Sequence, residues 1–365
     1  MFRPASLFLS VALLCCATAR APAQKPSPAA APAPTATPSP TPTAAAIIDS
    51  MGPTDLQQVV QLLKNNYINP AALNETELNR AMLSGVLTRL GRGVMLLSGP
   101  AGHVSERIDP FYGEVFEGHI GYLRCGALTP VNLQALDAAL QKYAGKKIDA
   151  VVIDLRASGA TNDFATAAEF AKRFCGKGKA LFSLRRAVGK QERSFASEVD
   201  PAYQGLLIVL CDEETAGPAE AVAGVLRLHN KALIIGQTTA GRAVEYSDLP
   251  LNGGKILRVA VDEAVLPEGR PLFPGGVKPD LPVELPEADK RQIFQESPQV
   301  GMARFVFEIE RPHLNEAALI AGRNPEIDAL EVSQRRKNSE KTPPHDVVLQ
   351  RAIDIVTSLA IYQKK

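Results

Sequence analysis

The chain has 365 residues, with 40 Lys and Arg against 39 Asp and Glu, for a formal net charge of +1. That balance leaves no electrostatic footprint for nucleic acid or an anionic membrane surface. Tryptophan is absent and aromatics make up 5% of residues, which gives no support to a stacking platform for bases or sugars, and the length allows one large or two ordinary domains.

Residues 1–23 read as a secretory signal: Arg3 near the start, an apolar run from Leu7 to Ala17, then small residues at Ala19 or Ala21-Pro22-Ala23. The run is too short for a good membrane span, and no transmembrane segment is expected beyond it. Cys15 and Cys16 raise a lipoprotein signal, but Leu14 stands where a small residue is wanted; an uncleaved anchor is the other reading. The expectation is export, to the periplasm or cell envelope or out of the cell. Residues 24–45 are Pro, Ala, Thr and Ser with almost no charge, the composition of an extended linker that cannot bury enough to fold.

A helical region is expected over 46–100. Thr54-Asp55 can cap a helix whose apolar face is Leu56, Val59, Val60 and Leu63. Asn74 opens a second helix with Glu77 three residues on, and Leu78, Met82, Val86 and Leu90 share its stripe. Asn74-Glu75-Thr76 is formally a glycosylation sequon and is read as the helix cap.

Beyond residue 100 the pattern alternates. Strands are expected at His119–Cys125, Ala150–Leu155, Ala180–Leu184, Leu206–Cys211 and Ala232–Ile235, with helices over Val131–Tyr143, Phe164–Phe174 and Gly217–His229. The strand runs are short and continuously apolar, as in an α/β sheet covered on both faces. Further strands are expected at Leu249–Leu251 and Ile256–Val261. In the extension 287–365, Arg311–Leu319 suggests a short helix, Ser333–Lys341 a solvated loop, and Val347–Tyr362 a longer helix. After export three cysteines remain, Cys125, Cys175 and Cys211, an odd number that argues against a full disulfide framework and leaves room for one pair. The five histidines show no ligand spacing, and no metal or other cofactor is expected.

Several segments carry a resemblance: Ile120-Gly121-Tyr122-Leu123-Arg124, Asp154-Leu155-Arg156, the turn before Glu220 with the helix that follows, Gly236-Gln237-Thr238-Thr239-Ala240-Gly241-Arg242, Pro267-Glu268-Gly269-Arg270, and Gly276-Val277-Lys278-Pro279-Asp280. Together they resemble the C-terminal processing, or tail-specific, serine peptidases of the S41 type. The resemblance implies a spiral of ββα units related to the crotonase and Clp protease folds, over a core of residues 101–286. In that family a nucleophilic serine lies three residues before the glutamate, and an activating lysine about twenty-five residues after the serine. Here those positions are Gly217 and Arg242, twenty-five residues apart. Glycine offers no nucleophile, and arginine keeps its proton, so it cannot serve as a general base.

Two further departures point the same way. The family's paired glycines after Asp-Leu-Arg, which supply an oxyanion N–H, fall here on Ala160 and Thr161. The PDZ module of about ninety residues that usually precedes the core has no room in the stretch of about twenty-five residues between Gly91 and His119. The resemblance therefore implies an exported pseudo-peptidase that binds unfolded or C-terminal peptide segments, or joins an active homologous subunit. Arg242, Gly217 and Thr239 are the expected ligand-binding residues, with a carboxylate as ligand. An active peptidase using Thr215 or Ser158, and a structural envelope protein with an unused cleft, are the alternatives. Asp154 and Arg156 are read as a structural ion pair.

Overall fold

A computed structural model describes residues 43–98, 109–159, 161–187, 189, 191–307 and 344–363. The expected signal at 1–23, most of the linker, Ala160, and the segments Arg311–Leu319 and Ser333–Lys341 lie outside them. The chain divides into two units, Met1–Glu77 and Leu78–Lys365.

The first unit holds α1 (Ala44–Ser50), which begins inside the expected linker, and α2 (Pro53–Asn66). Gly52 rather than Thr54 caps α2, because the Asp55 carboxylate accepts the Gly52 N–H at 3.1 Å. Helix α3 (Glu75–Leu90) starts where expected: Asn74 Oδ1 accepts the Glu77 N–H at 2.9 Å. No residue of α2 or α3 is buried; the α2 stripe and Met82, Val86 and Leu90 of α3 are exposed, and Leu78 is half-buried.

The region expected to be helical to residue 100 ends instead in a strand, β1 (Val94–Ser98). Its apolar run pairs antiparallel with β10 (Lys255–Leu266), from Val94 opposite Val259 to Ser98 opposite Lys255. That strand is the hub of an antiparallel sheet. On it also lie β5 (Ala180–Arg185), β9 (Val244–Leu251) and β11 (Arg270–Pro271), with β6 (Glu192–Ala196) beyond β5. Strands β9 and β10 are longer than their apolar cores because cross-strand pairs such as Arg258–Asp248, with Nε to Oδ1 at 2.7 Å, extend the hairpin through polar residues.

The second sheet carries the α/β core. Its order is β12 (Leu281–Pro282), β8 (Leu233–Gly236), β7 (Leu206–Cys211), β4 (Ala150–Asp154), β3 (Ile120–Arg124) and β2 (Tyr112–Phe116). All its pairings are parallel except β2 with β3. Successive side chains of a strand point to opposite faces, and both faces are covered. Leu123, Val151, Ile153, Leu207 and Val209 meet α4 (Pro130–Ala144), α5 (Phe164–Lys172) and α6 (Pro218–Asn230). Ile120, Tyr122, Val152, Ile208 and Leu210 meet α7 (Glu287–Val300), α8 (Ala303–Val306) and α9 (Val347–Gln363). Helix α6 shares its core with Ala264 and Leu266 of β10, which joins the two sheets around it. No described helix is long and apolar enough to cross a membrane.

Candidate functional site

The site forms where β4, β7 and β8 end and α6 begins, the edge at which a parallel sheet presents loops and a helix N-terminus. The turn after β7 is shaped by Asp212. Its Oδ1 accepts the N–H groups of Glu214 (3.0 Å) and Thr215 (3.1 Å), and its Oδ2 accepts Lys290 Nζ at 2.5 Å. The turn then passes into α6 through Gly217, whose φ of 59° and ψ of −125° lie in a region that strains any residue with a Cβ.

Glu220 binds this turn to the loop after β8. Its Oε2 accepts the N–H groups of Gly217 (3.0 Å) and Arg242 (2.7 Å); its Oε1 accepts the Gly241 N–H (2.6 Å) and the Thr239 hydroxyl (2.5 Å). Thr239 Oγ1 in turn accepts the Val277 N–H at 2.8 Å. Burial raises the Glu220 pKa above its ordinary value although all four donors oppose the shift. The positions that resemble a serine–lysine pair are therefore both held by one carboxylate, and neither carries the chemistry of a dyad.

Gly217, Thr239 and Arg242 are thus brought together, but in unequal roles. Thr239 is buried with its hydroxyl engaged, and Gly217 is buried with its N–H given to Glu220. The α6 N-terminus therefore already has its anion, and the expected attraction for a ligand carboxylate falls to Arg242 alone. Arg242 is half-buried and lines a cavity of about 540 Å3 together with Arg156, Gly159, Glu214, Lys290 and Phe294. Its guanidinium has no hydrogen-bond or ion-pair partner among the described residues.

The loop after β4 forms another wall. Arg156 makes bidentate contacts with two carboxylates: Nε and Nη2 to Asp154 (3.0 and 2.7 Å), Nη1 and Nη2 to Asp346 (3.0 and 2.8 Å). Asp346 also caps α9, accepting the Leu349 N–H at 3.0 Å. Gly159 then lies against the Glu214 carbonyl, where a Cβ would come within 2.3 Å of the oxygen. Thr161 follows, and its carbonyl oxygen lies 3.4 Å from where a Cβ on Gly217 would be. Of the expected degenerate oxyanion loop, Thr161 thus places an acceptor beside Gly217; its other member, Ala160, lies outside the described residues.

Neither substitute nucleophile is hydrogen-bonded to a lysine or histidine among the described residues. Thr215 is buried; its hydroxyl faces the Leu155 carbonyl at 3.0 Å and, at a longer 3.4 Å, the Asp212 carboxylate, which is itself held by Lys290, and it accepts the Asp212 N–H at 3.1 Å. Ser158 Oγ is buried with no hydrogen-bond partner among the described residues. The nearby Lys290 donates to Asp212 and Glu214 rather than to a hydroxyl. Among the described residues no group of three or more His, Cys, Asp or Glu is placed to hold a metal ion.

One residue escapes motif reading. Pro218 follows the nucleophile position, where a strand–turn–helix elbow normally offers a backbone N–H to the reacting oxygen. Proline has none. The signal was in plain view, as a proline immediately after the glycine, but it reads first as an ordinary helix start.

Residues 119–283 match the Peptidase family S41 model. The chain is 31% identical over 179 residues to the carboxy-terminal-processing protease of Bartonella bacilliformis, covering 48% of this chain and 41% of that protein. It is 25% identical over 167 residues to the carboxyl-terminal-processing protease of Synechocystis sp., covering 46% of this chain and 38% of that one. The matched stretch is thus about two-fifths of these relatives' length. The fold is similar to that of a candidate peptidase from Parabacteroides merdae, with a TM-score of 0.50 at 15% identity, covering 66% of this chain and 85% of that one.

Proposed function

We propose, for a chain whose residues 119–283 match the model of peptidase family S41, a non-hydrolytic protein that uses the former substrate cleft to bind peptide or protein segments. The observation that carries this reading is the Glu220 carboxylate, which holds Gly217 and Arg242 in place while neither supplies a nucleophile or a base. The segment bound is an unfolded stretch or a chain end, presented free or on an active homologous subunit. Its carboxylate meets the Arg242 guanidinium, which has five N–H donors. Export rests on the composition of residues 1–23 and places the protein in the periplasm or cell envelope, or outside the cell.

Two measurements test the reading. The full chain incubated with unfolded casein is expected to leave it intact; fragments that persist after repurification would end the pseudo-peptidase interpretation. Calorimetric titration with an apolar peptide is expected to show binding that weakens about 10- to 100-fold on Arg242→Ala, the loss of a charged hydrogen bond, and on amidation of the peptide's C-terminus. Affinity indifferent to both changes would remove the carboxylate site.

A further inference from the structure

The missing serine and lysine leave open whether the turn is otherwise fit for hydrolysis. We propose that Pro218 independently bars it, so that restoring the two side chains does not restore a peptidase. The inference rests on the non-hydrolytic reading and adds a cause to it.

The argument starts from where charge would develop. If a hydroxyl stood at position 217, its oxygen would bond to a scissile carbonyl carbon while its proton passed to an amine at position 242. The carbonyl π pair would move onto oxygen, and collapse would expel the peptide amine carrying that proton. The oxyanion needs donors already aimed at it. At a strand–turn–helix elbow the nearest is the N–H of the residue after the nucleophile, and Pro218 has no hydrogen there. On another side the Thr161 carbonyl oxygen lies 3.4 Å from the Cβ position of residue 217 and would repel a developing negative charge. The N–H of Gly217 is committed to Glu220. Gly217 and Pro218 together make a good helix entrance: the glycine accepts φ of 59° without a Cβ, and proline suits the first helical position. The same two residues leave the turn without a nucleophile and without its amide.

The test compares full-length Gly217→Ser/Arg242→Lys with Gly217→Ser/Pro218→Ala/Arg242→Lys. Hydrolysis of unfolded casein and intact-mass labelling by a fluorophosphonate are measured on both. In the labelling step the serine oxygen displaces fluoride from phosphorus. The triple variant is expected to exceed the double by about 100-fold or more, the effect of one oxyanion donor. Equal rates in the two, whether measurable or nil, overturn the role of Pro218. If circular dichroism shows the triple variant unfolded, Pro218→Gly replaces Pro218→Ala in the same comparison. Hydrolysis by the unaltered chain would instead defeat the non-hydrolytic reading, so the two failures are told apart.

Discussion

The Oε2 atom of Glu220 lies 2.7 Å from the amide nitrogen of Arg242, and the residues are 22 apart in sequence. The same oxygen accepts the Gly217 N–H, so one carboxylate fixes the spacing between the turn before α6 and the loop after β8. Glu220→Ala would leave three amides and the Thr239 hydroxyl without their acceptor in a buried place. Each orphaned donor costs about 1–3 kcal/mol before relaxation. The expected loss of stability in urea unfolding is about 3–5 kcal/mol, and Glu220→Gln should recover part of it. A loss below about 1 kcal/mol would mean that water satisfies these groups.

Gly217→Ser is expected to destabilise without conferring activity. The backbone at Gly217 has φ of 59° and ψ of −125°, and a Cβ there meets strain of about 1–3 kcal/mol. Among the described residues beyond its chain neighbours, no atom comes closer than 3.4 Å to that Cβ, so the cost is conformational rather than steric. A shift in the urea midpoint with unchanged m-value would match this account. An unchanged midpoint would show that the turn relaxes.

Cys125, Cys175 and Cys211 are free and buried. Burial pushes the thiols of Cys175 and Cys211 up to about 12, and raises that of Cys125 as well. Nucleophilic attack needs the thiolate, so these cysteines should resist iodoacetamide in the folded protein at mildly alkaline pH. All three should react in guanidinium chloride. Modified peptides from the native sample, read by mass spectrometry, would reveal local opening of the strands.

The turn at Gly217 and the loop at Arg242 were legible because they depend on short spacing, from Glu220 and from the Thr-Thr pair, and the structure joins the two through the Glu220 carboxylate. The buried strands Ala150–Asp154 and Leu206–Cys211 were legible for the same reason, as continuous apolar runs. What stayed hidden depends on partners far along the chain. Asp346 meets Arg156 across 190 residues, and no local pattern announces it. Val94–Ser98 is too short for periodicity to separate strand from helix, and its pairing with β10 decides. Glu192–Ala196 begins Glu-Arg-Ser and has weak strand propensity; pairing with β5 makes it a strand. Arg242 was legible as a residue, but that its guanidinium has no partner among the described residues was not.

The Asp154–Arg156 pair sets an acid limit on this site. Burial alone would raise the Asp154 pKa, but the charge and hydrogen bonds of Arg156, with the Tyr122 hydroxyl at 2.7 Å, outweigh it and hold the carboxyl below its ordinary 3.8. A carboxyl whose pKa is lower in the folded state contributes stability that is complete above its unfolded pKa. That contribution is lost as pH falls through the lower, folded value. Asp154→Asn should therefore cost about 3–5 kcal/mol near neutral pH, because Arg156 keeps only Asp346 in a buried setting. The gap between the variant and the unaltered protein, followed by urea unfolding, should stay constant down to about pH 4 and narrow only below it. Narrowing that begins between about pH 7 and 5 would place the titration on another group and detach Asp154 from the acid response.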